Sequence, residues 1–451
     1  MAAVSQIREL LAEMLLEVDQ EERYSHLVLR ETLEKYQFLP KQDRAFITRV
    51  FEGTIENRIR IDYWINGISS VGVDRMKPMI REIIRIGVYQ IVYMDSVPDS
   101  AACNEAVKLT QKKGFYNLKG FVNGVLRNIS RQKERLPLPS KEFPRDYLSV
   151  RYSMPEWLVR RWLASYGKET TEAMLEAFLK ERPTTVRCRQ FCTDQKETEA
   201  MLRDQGVTVE PAPWLPYARN IFGFNYIPAL YAFREGRIQV QDVSSMLVGE
   251  LAAPKPGDRV LDMCAAPGGK SLHVADMLKG TGYVEARDLT EYKVGLIEEN
   301  IERSGVINVV AKRQDATIPD RKSVNAFDIV LADLPCSGLG VIGKKTDIKY
   351  RITPDRIREL VQLQKQILHN AADYVKPGGL LIYSTCTICE EENEENVQWF
   401  LAHYPFTAES LEEYLPGELK NEDTGQGCIQ LLPGIHGVDG FFIARMRRNQ
   451  E

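Results

Sequence analysis

The chain has 451 residues, 44% of them hydrophobic, which is enough for two or three separately cored domains and excludes a disordered protein. No uninterrupted apolar run of about 18 residues occurs, and the amino-terminal MAAVSQIREL carries charge where a secretory signal would place its apolar stretch. A cytoplasmic protein without a membrane partner is therefore expected. The net charge of -4 identifies no partner as a total, but its distribution does. Between Lys108 and Arg135 the basic residues Lys108, Lys112, Lys113, Lys119, Arg127, Arg131, Lys133 and Arg135 face Glu134 alone, a local basic patch suited to a polyanion.

From Gln6 to about Arg135 apolar residues recur at three- and four-residue steps, as in IRELLAEMLLEV and MIREIIRIGVYQIVYM, and predict an all-α domain. Pro137, Pro139 and Pro144 stand among charges and predict a linker, so a boundary is placed near 140. Two helices follow, in MPEWLVRRWLASYG and TTEAMLEAFLKE. TTVRCRQF, KETEAMLRDQG and TVEPAP then suggest a small α/β insert. Beyond Asp242 strands and helices alternate regularly: DRVLDMC, KSLHVADML, GYVEARD, YKVGLIEENIERSG, NVVAKRQD, FDIVLADL, a long helix, and GLLIYSTC. Such alternation means a parallel sheet with helices on both faces.

Ligands of open parallel sheets sit beyond the carboxyl ends of the strands. The first such turn is Asp262-Met263-Cys264-Ala265-Ala266-Pro267-Gly268-Gly269-Lys270. Its small residues admit a ligand close to the backbone, and the following helix offers unpaired N–H groups, although a tight structural turn has the same composition. Twenty residues past Gly268, Asp288 ends the second strand where a carboxylate that binds ribose hydroxyls is expected. Asp315, at the end of the third, suits an adenine amino group. The loop is not G-x-G-x-x-G, which favours an adenosine-containing ligand other than NAD.

The fourth strand runs into Asp333-Leu334-Pro335-Cys336 and the fifth into Ser384-Thr385-Cys386, so two cysteines emerge from strands expected to be neighbours. All eight cysteines lack regular spacing and are read as thiols, not as a disulfide framework. Cys386 and Cys389 form a C-x-x-C, the pattern of a redox pair or half a zinc site, but no second pair or spaced histidines accompany it, and no metal is expected. A thiolate and a carboxylate beside a bound methyl donor suit one reaction. Cys386 adds to carbon 6 of cytosine, Asp333 engages N3, carbon 5 becomes nucleophilic, and Cys336 assists release once the carbon 5 proton has been removed. Lys344, Lys345 and Lys349, directly after the Cys336 motif, are read either as thiol-tuning cations, as a phosphate contact or as a solvated loop.

VLDMCAAPGGKS, ADLPCSGLGVI, IYSTCTICEEEN, GVDGFFIARM and VQDVSSMLVG together resemble the RsmB (Sun/Fmu) family of ribosomal RNA cytosine-5 methyltransferases, over nearly the whole chain. The resemblance implies a multidomain protein: a NusB-like helical RNA-binding domain (1–138), a helical and small α/β, RRM-like linker domain (145–238), and a Rossmann-like class I methyltransferase domain with a mostly parallel seven-stranded sheet (239–449). It implies S-adenosylmethionine as cofactor, held by Cys264, Ala265, Ala266, Pro267, Gly268, Gly269 and Lys270 with Asp288 on the ribose, Asp315 near adenine and Asp333 in the active site. It assigns the attack to Cys386 and product release to Cys336, and implies small-subunit ribosomal RNA, at cytosine 967, as substrate of a monomer. Lys112, Lys113, Lys119, Arg127, Arg131, Lys344, Lys345 and Lys349 are the candidate RNA contacts. The chain departs from the family where R-H-P-D-I-K/R becomes Lys344-Lys345-Thr346-Asp347-Ile348-Lys349, where Arg287 precedes the ribose acid, and where R-V-N becomes Val186-Arg187-Cys188. Transfer RNA, another ribosomal position, or a non-catalytic assembly role are the alternatives.

Overall fold

The computed structural model describes residues 2–21, 23–180, 182–191 and 193–450, with side chains from Gln6 onward. The chain divides into two compact units, Met1–Lys180 with Ile342–Arg351, and Glu181–Val341 with Ile352–Glu451.

The first unit is all helical. Helix Pro78–Tyr93 is its spine, because every residue from Glu82 to Ile91 is buried and only a helix enclosed by others can bury all its faces. Gly87 lets Leu126 of helix Lys119–Gln132 approach, since a Cβ at 87 would lie 2.7 Å from the Leu126 side chain. Helices Pro144–Arg151 and Glu156–Leu179, read from the sequence as the start of the linker segment, group with this unit. So does the segment Ile342–Arg351. Asp347 accepts hydrogen bonds from Ser25 N (3.0 Å) and Ser25 Oγ (2.7 Å), and Tyr350 donates to Ile55 O (2.9 Å).

The second unit holds two sheets. In the smaller, β1 (Thr184–Cys188), β2 (Thr208–Pro211), β3 (Ala218–Phe222) and β4 (Ile238–Val240) run antiparallel in the order β2-β3-β1-β4. Helix Gln195–Asp204 packs Leu202 into their core, its first turn capped by Asp194, which accepts from Glu197 N. The larger sheet contains β5 (Arg259–Asp262), β6 (Tyr283–Asp288), β7 (Val309–Arg313), β8 (Phe327–Asp333), β9 (Val375–Thr385), β10 (Phe406–Ala408), β11 (Cys428–Leu431) and β12 (Phe441–Arg448). Their order is β10-β12-β9-β8-β5-β6-β7, with β11 paired to β12. The pairs from β9 through β7 are parallel, while β12 is antiparallel to β9, β10 and β11. The sheet thus has eight strands where seven were expected, the short β10 and β11 both completing their hydrogen bonds on β12.

Alternation across this sheet fills two cores, which is why its strands read as nearly continuous apolar runs. Val260, Ile329 and Ile382 face Leu247 and Leu272 of helices Val243–Ala252 and Gly269–Met277. Leu261, Val330 and Leu381 face Leu368 and Phe400 of helices Pro354–Tyr374 and Glu394–His403. Strand order reverses at β5, where the chain passes to β6 on one side and later to β8 on the other, and the residues beyond these carboxyl ends build the candidate site. No helix among the described residues is long and apolar enough to cross a membrane.

Candidate active site

The turn after β5 is held open by its neighbours. Ala265 N donates to Arg287 O (2.8 Å) and Ala266 N to the Asp288 carboxylate (3.0 Å). Gly268 takes φ +102°, the left-handed region that a side chain disfavours, and starts helix Gly269–Met277. Asp288, buried at the end of β6, also accepts from Leu289 N (2.8 Å) and pairs with Lys293 (3.0 Å). Its neighbour Arg287 turns into the core toward Glu285 and Ser323, so the departure from the family pattern at 287 adds no charge beside Asp288. Asp315 lies two residues past the end of β7, and its Oδ1 accepts from Thr317 N (2.9 Å) and Thr317 Oγ1 (2.7 Å). Asp262 accepts from Ser271 Oγ (2.6 Å), but its other oxygen, fully buried, has no hydrogen-bond partner in the protein. Burial raises its pKa to about 7. A cradle of small residues, a carboxylate fixed at the next strand end and an orphaned acceptor fit an adenosine ligand that carries a cationic amino acid.

The thiols meet. β8 and β9 are paired with Asp333 opposite Ser384, and this register carries Cys336 and Cys386 to an Sγ–Sγ distance of 3.3 Å. Asp333 accepts from Ser384 Oγ (2.8 Å) at one oxygen and from Lys270 Nζ (2.6 Å) at the other. Lys270 was read as part of the cofactor loop, but the structure joins it to the carboxylate beside the thiols. Burial opposes its charge, yet Asp333, Asp262 and Cys386 together hold its pKa above the ordinary value. Lys270 is therefore a cation that interacts with Cys386. For Cys336 the hydrogen bond with Cys386, then burial, then the charge of Cys386 and last that of Glu392 push the pKa well above the usual thiol range. The Cys336 thiolate is thus disfavoured, and either sulfur can be the donor across the 3.3 Å contact.

The other thiols stand apart from this pair. Burial raises the Cys264 pKa, with Asp288 and Asp262 adding to the effect. Cys389 donates to Glu391 (3.2 Å), so the C-x-x-C cysteines have different partners. No disulfide and no group of three or more metal-ligating side chains occurs among the described residues.

The predicted RNA contacts divide. Lys119, Arg127 and Arg131 are exposed on helix Lys119–Gln132 and make no ion pair among the described residues. Lys112 pairs with Glu9 (2.6 Å), and Lys113 with Glu9 and Glu13 (2.7 Å each), which neutralises that end of the patch. Lys344 and Lys345 are exposed. Lys349 is a correction: it is 2% exposed, its ammonium donates to Glu56 O (2.7 Å), and burial lowers its pKa to about 7. It is packed in the helical unit and is not presented to phosphate.

Sequence reasoning missed the residues that hold the two thiol loops together: Ser337, Gln364, Thr387 and Glu392, all buried. A polar residue inside an apolar helix stripe, Gln364 in RELVQLQKQIL, was the available signal.

Comparison with known proteins decides the family. Residues 250–447 match the model described as 16S rRNA methyltransferase RsmB/F, residues 5–131 the NusB family, and residues 154–221 the RsmF/B-like ferredoxin-like domain. A Bacillus subtilis (strain 168) protein named "Probable ribosomal RNA small subunit methyltransferase B" is 36% identical over 446 residues, 98% of each chain. The chain belongs to the RsmB/F methyltransferase family. A Synechocystis protein of the same name is 31% identical over 98% of this chain and 99% of its own. The crystal structure of PH0851 covers 98% of both chains with a TM-score of 0.82 and 28% identity. As an RsmB/F protein, the chain is an RNA methyltransferase dependent on S-adenosylmethionine, with a NusB-like helical domain, a ferredoxin-like linker and a methyltransferase domain.

Proposed function

We propose that this enzyme methylates carbon 5 of a cytosine in small-subunit (16S) ribosomal RNA through a covalent bond between Cys386 and carbon 6, with cytosine 967 as the target the resemblance favours. The observation that carries the chemistry is the 3.3 Å approach of Cys386 to Cys336 beside the Lys270–Asp333 ion pair. The substrate class comes from the relatives named above, which are small-subunit ribosomal RNA methyltransferases.

The loop from Cys264 to Lys270, Asp288 and Asp315 would hold the cofactor, and the orphaned Asp262 oxygen would accept from its ammonium group. S-adenosylmethionine, when bound, supplies a methyl group as an electrophile. Lys270 and the Cys336 S–H stabilise the Cys386 thiolate, which adds to carbon 6 while the Asp333–Lys270 pair provides the hydrogen bond that takes up charge at N3. The electron pair displaced from the ring double bond makes carbon 5 nucleophilic. After methylation a base removes the carbon 5 proton, the carbon–sulfur bond breaks, and Cys386 leaves as a thiolate again hydrogen-bonded by Cys336. The exposed Lys119, Arg127 and Arg131 are read as backbone contacts for the RNA, at the end of the patch that Glu9 and Glu13 do not neutralise. The domain limits 1–138, 145–238 and 239–449 remain our reading of the chain.

The test is to incubate purified protein with an unmodified small-subunit ribosomal RNA transcript and labelled cofactor, then locate protected cytosines by bisulfite sequencing. One protected cytosine, at the position equivalent to 967, is expected. Label on transfer RNA alone would overturn the substrate, and label without bisulfite protection would overturn the chemistry.

A further inference from the structure

Glu392 is 0% exposed and lies on the turn Glu390–Glu392 that follows the Cys386 loop. Among the described residues no cation pairs with it. Instead Ser337 N donates to its Oε1 (2.8 Å), Gln364 Nε2 donates to the same oxygen (3.0 Å), and Ser337 Oγ donates to Oε2. Because the Ser337 hydroxyl proton is committed to the carboxylate, Thr387 Oγ1 must be the donor in its 2.7 Å contact with Ser337 Oγ. Gln364 also donates to Pro335 O (2.9 Å), and Asn396 holds Gln364 from behind (2.7 Å). Ser337 follows Cys336 and Thr387 follows Cys386, so one carboxylate ties together the backbones on which both thiols stand.

We propose that Glu392 is a positioning residue for methyl transfer: its carboxylate clamps the Cys336 loop against the Cys386 loop and so sets the approach of the two sulfurs. The proposal rests on the reading of Cys386 as nucleophile and Cys336 as its assistant. Both carboxylate oxygens accept from donors on these loops, and burying the charge without a cation is costly, so the charge calls for a role beyond the hydrogen bonds. That role is to make the two thiols unequal. The negative charge faces Cys336, which is disfavoured as an anion, while Lys270 faces Cys386. Cys336 is then the thiol that keeps its proton more readily and can donate it to Cys386.

The test compares full-length Glu392→Gln, Glu392→Ala and Cys386→Ala with the parent enzyme. Glutamine keeps the size, removes the charge and turns an NH2 group toward Ser337 or Gln364. We expect KM for RNA and cofactor affinity within threefold of the parent, kcat lowered at least tenfold in Glu392→Gln and further in Glu392→Ala. Limited alkylation with iodoacetamide near pH 8, read by mass spectrometry, should modify chiefly Cys386 in the parent and both Cys336 and Cys386 in Glu392→Gln. Parental kcat with unchanged alkylation selectivity in Glu392→Gln overturns the proposal. If Cys386→Ala retains turnover, it is the nucleophile assignment that fails, whatever Glu392 does. Should the Glu392 variants not fold, Ser337→Ala, which removes the Oγ half of the clamp and keeps the charge, should lower kcat at least tenfold with alkylation still chiefly on Cys386, and parental kcat in that variant overturns the proposal.

Discussion

Gly440→Ala probes the wall behind the nucleophile. Gly440 N donates to Gly340 O (2.9 Å), and Gly340 N donates to Cys386 O (3.1 Å), so a backbone relay leads from the C-terminal GVDGFF segment to the nucleophile. Neither glycine has a left-handed φ, so an alanine is allowed by conformation and opposed only by space. A Cβ at 440 would lie 2.6 Å from Gly340 Cα and 2.7 Å from Ile388 Cγ2, closer than real carbon atoms come. One contact is backbone, so rotation of a side chain cannot relieve it. Overpacking of this kind costs about 1–3 kcal/mol, and each weakened backbone hydrogen bond about 0.5–1.5 kcal/mol more. A total of about 2–6 kcal/mol follows, or roughly 4–24 °C in melting temperature for a unit of this size. The assay is thermal unfolding together with kcat on ribosomal RNA. Cofactor affinity should hold, because the atoms that would crowd a Cβ at 440 belong to Gly340 and Ile388 and not to the loop after β5. Gly295→Ala is the control: nothing lies within 4 Å of its Cβ position in helix Glu291–Ser304, and the change should be neutral or stabilise by about 0.5–1 kcal/mol. Unchanged melting temperature and kcat in Gly440→Ala would refute the close-packing argument.

Two further outcomes are expected. Asp288→Ala strands Ala266 N and Leu289 N and removes the acceptor for the ribose, so cofactor affinity measured by calorimetry should fall by about 1–3 kcal/mol, roughly 5–150-fold; equal affinity would move the ribose elsewhere. Replacing Lys119, Arg127 and Arg131 by alanine should flatten the slope of log affinity against log salt by about 0.7–0.9 for each RNA phosphate that the protein no longer neutralises. Lys112→Ala should change it less, since Glu9 already neutralises that ammonium. An unmoved slope in the triple variant would make the patch merely solvated.

What was legible in the sequence is what local pattern controls. β5, β8 and β9 are buried on both faces, so their apolar runs stood out, and the residues ending β6, β8 and β9 marked the site. β10 and β4, with three residues each, have too little length to show alternation, and they exist because the longer β12 and β1 offer them partners. Lys349 carries the same charge as Lys344 and Lys345, but only the docking of Tyr350 and Asp347 in the helical unit buries it. The pairing of Lys112 and Lys113 with Glu9 and Glu13 joins residues about a hundred positions apart, which no local reading of the basic run could see. Glu392 sits in EEENEE, which looks like a solvated acidic face until a single turn carries one carboxylate inward.

The nucleophile assignment is tested most directly with substrate RNA carrying 5-fluorocytidine at the target position. Fluorine replaces the proton that must leave carbon 5, so the reaction stops with the nucleotide still bonded to sulfur. Peptide mass spectrometry of the trapped complex should find the methylated, fluorinated nucleotide on Cys386. Its presence on Cys336, or transfer of methyl with no nucleotide on any cysteine, would contradict the account.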